Sequence, residues 1–136
     1  MSPSLITLLL TGLASLVVVL TRMRMVKEGR AAGRAAVSRW LVDVHTVGGV
    51  LAVVLWVAMF VVGDRRLGAA ALPLWWATVV AGLLILVRWL PARGRHSSGP
   101  VADAWGDGPG LSILAHVGLL VGVLVFSVYL LLDQIP

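Results

Sequence analysis

Four long apolar runs constrain this chain more than any other feature. They cover roughly residues 4–21, 38–62, 71–90 and 111–132 and consist mainly of Leu, Val, Ala, Ile and Gly. Each is near the ~20 residues that a helix needs to cross the hydrocarbon core of a bilayer. A soluble domain of 136 residues has too little interior to bury four such runs, and here 60% of residues are hydrophobic against 12% charged. The expected fold is therefore an all-α integral membrane protein: one transmembrane domain over residues 1–136, built as a four-helix up-down bundle. The remainder is connections, at about 22–37 and 91–110 plus one short link, and two tails. None has room for a separate catalytic or nucleotide-binding domain, so the chain is expected to act within the membrane.

The charges point to an orientation. A net charge of +5 suggests nucleic acid in a soluble protein, but here the basic residues cluster in the connections. Arg22, Arg24, Lys27, Arg30, Arg34, Arg39, Arg88, Arg93 and Arg95 flank the first and third connections, nine in all, against Arg65 and Arg66 in the second. The positive-inside rule places the first and third connections in the cytoplasm and both termini outside, in a multi-pass protein of the cell membrane. Nucleic acid is not an expected partner; membrane lipid is. The first run lacks a basic leader and a small-x-small cleavage site, so it reads as a retained helix rather than a signal peptide. No cysteine is present, which removes thiolate metal sites and iron-sulfur clusters.

Several local features have plain uses. The stretch RMRMVKEGRAAGRAAVSR suits a basic helix lying on the cytoplasmic headgroups. Trp75 and Trp76 at one interface, and Trp40 and Trp89 at the other, read as an aromatic belt. The third connection is rich in Gly, Ser, Pro and Asp and reads as an irregular loop, with His96 as a solvated side chain.

Two histidines do not fit that plain picture. His45 lies five residues beyond Trp40 and His116 five beyond Leu111, so each sits about 7.5 Å inside its helix at 1.5 Å per residue. In an up-down bundle the second and fourth helices run the same way, and matched depth lets the two side chains meet. Gly48, Gly49 and Ala52 fall on the His45 side of their helix. Their missing side chains suit a flat macrocycle held edge-on beside its ligand, and equally suit close helix packing. On the fourth helix Ala115, Gly118 and Gly122 share a different face from His116 and are expected to pack a helix.

Bare zinc or copper normally takes three or four protein ligands, and no carboxylate or thiol shares these stripes, since Asp43 projects nearly opposite His45. Haem b needs only two axial imidazoles, so His45 and His116 are the expected metal ligands of one haem b per chain, in the cytoplasmic half. Its propionates would call on Arg39 and Arg88, with Arg22, Arg24 and Arg93 nearby; each of these also serves as a topology signal. Intramembrane ionisable residues are functional candidates, yet a structural hydrogen bond, or another ligand or proton role, remains open for the pair.

In helix number, length and the placement of His45 and His116, the chain resembles the small membrane cytochromes b, namely four-helix cytochrome b561-type proteins and the haem-carrying anchor subunits of quinone reductases. The resemblance is architectural and spans all four runs. It implies electron transfer in a respiratory or quinone-linked complex, with quinone as substrate and other redox subunits, or further copies of the chain, as partners. Ser112, Asp43 and Trp40 lie in the zone where such proteins bind quinone. Two intramembrane histidines provide for one haem where two-haem relatives need four ligands, which favours an electron-transfer subunit over a stand-alone enzyme. The alternative is a cofactor-free accessory subunit. A small multidrug exporter fits poorly, because the first run has no carboxylate.

Overall fold

A computed structural model describes residues 1–32, 37–94 and 109–136, with side chains placed for all of these except 27–32, 89–94 and 109. The described residues form four helices: α1 (Pro3–Ala32), α2 (Arg39–Val62), α3 (Arg65–Gly94) and α4 (Pro109–Leu131). Each contains a stretch long and apolar enough to cross a membrane: Pro3–Val26, Arg39–Val62, Arg65–Arg88 and Gly110–Leu131. Apolar residues also cover the outside. Leu13, Val47, Val54, Val87 and Leu114 are all more than half exposed, an exterior that water would penalise at about 25 cal/mol per Å².

Helix boundaries depart from the sequence expectation in two informative places. The basic stretch after residue 21 continues α1 through Ala32 rather than forming a separate surface helix, because Met, Lys, Glu, Arg and Ala are all good helix formers and outweigh the single Gly29. The link between the second and third runs shrinks to Gly63 and Asp64. Gly63 closes α2 in the left-handed region (φ 73°), with its N–H donating to the Met59 carbonyl at 2.8 Å, a conformation glycine adopts without a β-carbon penalty. Asp64 then caps α3: its Oδ1 accepts the Arg66 N–H at 2.9 Å. The third connection, with His96, lies outside the described residues.

Each helix packs on two others: α1 and α3 each meet both α2 and α4. The pairs α2/α4 and α1/α3 therefore stand on the two diagonals, and only long side chains reach across. The main apolar cluster draws on all four helices, including Ala14, Ala52, Trp56, Trp75, Val123 and Phe126. Phe126 is its hub, with ring centroids 4.9 Å from Trp56 and 5.5 Å from Trp75. Trp75 is thus a fully buried core residue rather than a belt residue, because its position on α3 faces the bundle axis. Trp76 is half-buried and donates from Nε1 to Ser127 Oγ at 3.2 Å, while Trp40 points outward at 69% exposure. The Trp89 side chain lies outside the described residues.

A second, smaller cluster joins Val37, Leu41 and Val42 to Ala81, Ile85 and Leu86. It lies at the opposite end of the bundle from the termini and contains residues of α3 and of α2 with its lead-in, but none of α4. At the terminal end, Arg65 reaches across to the turn after α4, pairing with Asp133 and donating to the Leu130 carbonyl. That turn is completed by Gln134 N–H donating to the Tyr129 carbonyl at 2.9 Å, and it buries Ile135.

Candidate functional site

The inward stripe of α2 runs Leu41, Val42, His45, Gly49, Ala52, Trp56 and Met59, the three-and-four spacing of one helical face. The stripe of α4 runs His116, Leu119, Val123, Phe126 and Leu130. The two stripes face each other along the diagonal and bring the histidines together: His45 is fully buried, His116 is 4% exposed, and their ring centroids are 6.1 Å apart with planes tilted by 39°.

The nitrogens of the pair are where the site departs from ordinary helix packing. The Nδ1–H of His116 donates to the Ser112 carbonyl one turn back, at 2.7 Å. A carbonyl can only accept, so this bond puts the proton on Nδ1 and leaves the Nε2 lone pair free. A backbone carbonyl holding the far nitrogen is the usual support of a metal-ligating histidine. Nε2 of His116 and both nitrogens of His45 are buried with no hydrogen-bond partner among the described residues.

Burying a polar group without a partner costs about 1–3 kcal/mol. Hydroxyls in these helices mostly avoid that cost by donating to the carbonyl four residues back, as Thr11, Ser15, Thr46, Thr78 and Ser127 do. Thr7 Oγ1 and the indole nitrogens of Trp56 and Trp75 are also unpartnered. They differ from the histidines, whose rings each carry an electron pair suited to a metal and lie opposite one another.

Imidazole nitrogens bind metals at about 2.0–2.1 Å. Two imidazoles on opposite sides of one ion would therefore hold their ring centroids about 6 Å apart, which is the separation observed here. Among the described residues no group of three or more His, Asp or Glu side chains comes together. The pair thus suits a metal that brings its own remaining ligands.

The small residues behave otherwise than a macrocycle cradle requires. A β-carbon on Gly49 would lie 2.7 Å from Val18 Cγ2 and 3.3 Å from Thr78 Cγ2, and one on Gly48 would lie 3.3 Å from Thr78 Oγ1. Their space is taken by α1 and α3, and Ala52 is buried in the main apolar cluster. These residues set helix approach. Gly49→Ala is accordingly expected to lower stability by about 1–3 kcal/mol, the usual range for overpacking, read as a drop in melting temperature.

The close residue beside the histidines is one that sequence reasoning missed. A β-carbon on Gly82 of α3 would lie 2.9 Å from His116 Cδ2 and 3.0 Å from both Cδ2 and Nε2 of His45. The available signal was a lone glycine inside the third apolar run at similar depth, since an isolated glycine within a helix usually marks a close approach. The Ser112 carbonyl was missed too, because backbone atoms leave no mark in a sequence.

Arg39 and Arg88 lie at this end of the bundle and are exposed. Arg22 Nη1 donates to Asp43 Oδ1 at 2.6 Å, joining α1 to α2 one half-turn from His45. Both partners are nearly half exposed, so solvent screening holds the contribution to about 1 kcal/mol or less. The Arg93 side chain lies outside the described residues.

Tested against haem b, the donors fit: two buried imidazoles, an electron pair defined on His116, the spacing of a shared ion, and arginines at the rim. The clearance does not fit. With α3 this near both rings at Gly82, its backbone stands where the inner part of a macrocycle would run. Comparison with protein-family models, curated proteins and solved structures finds no match for this chain.

Proposed function

We propose that the chain is a four-span membrane protein that binds one haem b between His45 and His116 and passes electrons within a respiratory or quinone-linked complex. The observation that carries this reading is the buried pair itself, two imidazoles at the spacing of a shared ion with their Nε2 atoms unpartnered. Haem b supplies a one-electron iron couple when bound. His116, oriented through Ser112, and His45 would be its ligands; the apolar walls would exclude water; Arg39 and Arg88, exposed at that end of the bundle, would meet the propionates. The reading requires α3 to stand further from the pair at Gly82 than it does in this conformation. Haem measured per chain by pyridine haemochrome tests it, with a value near one expected and a value near zero opposing it.

In this reading the exposed Leu and Val side chains meet the lipid of the cell membrane, both termini lie outside, and the histidine end faces the cytoplasm. A reporter enzyme that works only outside the cytoplasm, fused after Pro136, is expected to be active, and activity of a cytoplasm-only reporter there would reverse the orientation. The electron partners are quinone and other redox subunits, or further copies of the chain.

One observation favours the second reading, a cofactor-free accessory subunit. Nothing lies within 4 Å of where a β-carbon on Gly118 or Gly122 would stand. Gly122 is buried but Gly118 is exposed, so at Gly118 that small-residue face of α4 lies open, whereas it was expected to pack a helix. In this reading the open face seats a helix of a larger complex.

A further inference from the structure

We infer that His45 and His116, at the spacing they have with α3 in place, form a site for one bare Cu(I) ion held in line between their Nε2 atoms. The inference does not rest on the haem reading. It takes the closed packing around the pair as it stands, which leaves room for a single ion and none for a macrocycle.

That packing encloses the pair from both ends. Toward the termini, Val79 of α3 and Leu119 of α4 belong to the main apolar cluster, with Leu83 against it. Toward the other end, Ala81, Ile85 and Leu86 of α3 are fixed to Leu41 and Val42 of α2. The missing side chain of Gly82 lets the two ring edges converge: a β-carbon there would lie 3.0 Å from His45 Nε2 and 2.9 Å from His116 Cδ2, the carbon bonded to Nε2. The rings nevertheless form no hydrogen bond with each other. Two neutral imidazoles that merely packed would gain by one donating to the other; these stand at the spacing of a shared ion, 6.1 Å between centroids. Ser112 puts the His116 proton on Nδ1, and His45 with its proton on Nδ1 offers a matching electron pair on Nε2. One ion between them satisfies two of the three orphan imidazole nitrogens.

Ligand number and charge select the ion. Zinc and Cu(II) take three or four protein ligands, and the described residues bring no third donor to the pair. Asp43, the carboxylate nearest in sequence, is engaged by Arg22. A metal that carries its own ligands is one answer to a two-donor site, and an ion that needs no others is the second. Cu(I) has a filled d shell and imposes no geometry beyond spreading its ligands apart, so two imidazoles in line complete it. Charge points the same way, because the Born cost of burial grows with the square of the charge and a divalent ion with two neutral ligands costs about four times as much to bury. The same pair denies Cu(II) its tetragonal ligand set, so the ion is held in its reduced state rather than cycled.

The test loads the full chain, purified in mild detergent without haem, with Cu(I) supplied anaerobically as its bicinchoninate complex. The expected results are about one copper per chain, an X-ray absorption spectrum with two nitrogen neighbours at about 2 Å and no further ligand, and no paramagnetic Cu(II) signal. An equal concentration of Zn(II) should leave the copper in place. Copper should fall to about a tenth or less in His45→Ala and in His116→Ala, and stay in His96→Ala, which removes the third histidine of the chain. No copper on the folded wild-type chain, a third or fourth ligand in its absorption spectrum, displacement by Zn(II), or copper retained in both single variants overturns the site. The absorption spectrum is read on wild type, so poor folding of a variant leaves the inference open to refutation. Haem per chain from haem-supplied cells decides the haem reading separately: a value near one, with no copper taken up by the haem-free chain, supports that reading and overturns this one.

Discussion

Replacing His116 by alanine is expected to reduce bound haem to about a tenth of the wild-type amount or less, and His45→Ala is expected to do the same. Disturbing the hydrogen bond behind a ligand typically costs 10–100-fold in metal affinity, and removing the ligand costs at least as much. Both rings lie on the inward stripes that meet across the diagonal, and no third donor group assembles among the described residues. A lost imidazole therefore has no substitute among the described residues. His116 carries the better-defined electron pair, because Ser112 fixes its tautomer. Pyridine haemochrome per mole of each purified variant measures the effect. Full haem in both single variants would exclude this pair as the ligand set.

Phe126→Ala should strike the fold rather than the site. Its ring is fully buried, stacks near Trp56 and Trp75, and joins α4 to α2 and α3. Truncating a buried phenylalanine costs about 3–5 kcal/mol through lost contacts and the cavity left behind. The neighbours are two large indoles whose positions are set by three helices, so collapse into the space is limited. A fall of several degrees in the melting temperature in detergent is expected, with unchanged haem per chain in protein that remains folded, because the aromatic cluster lies toward the other end of the bundle. A melting temperature within one degree of wild type would contradict the role given to this cluster.

Helix number and the inward stripes were legible because both follow from strong, repeated signals. Apolar runs near 20 residues have few alternatives, and the stripe through His45, Ala52, Trp56 and Met59 is written in three-and-four spacing. The meeting of His45 with His116 followed from counting residues along two parallel helices. Rotation and neighbour identity were not legible. Trp75 looked like an interface residue from its place near a helix end, but helix rotation turns it inward. Gly48 and Gly49 looked like a cradle beside His45, yet Val18 and Thr78 fill the space they leave. Gly82, which stands beside both rings, lies on a helix carrying no histidine, and its importance depends on a rotation that periodicity cannot fix when apolar residues surround the helix. The boundary of α3 moved because Asp64 caps the helix directly after Gly63, which turns the expected link over residues 63–70 into a tight turn.

A haem held between His45 and His116 is the core of the proposed function. The most direct measurement is a dithionite-reduced minus oxidised visible spectrum of the chain purified in mild detergent from cells supplied with haem. A sharp α band characteristic of paired imidazole ligands, at one haem per chain, is the expected result. A featureless spectrum from folded protein, purified together with whatever membrane subunits accompany it, would contradict the account and leave an accessory subunit whose two histidines hold no haem.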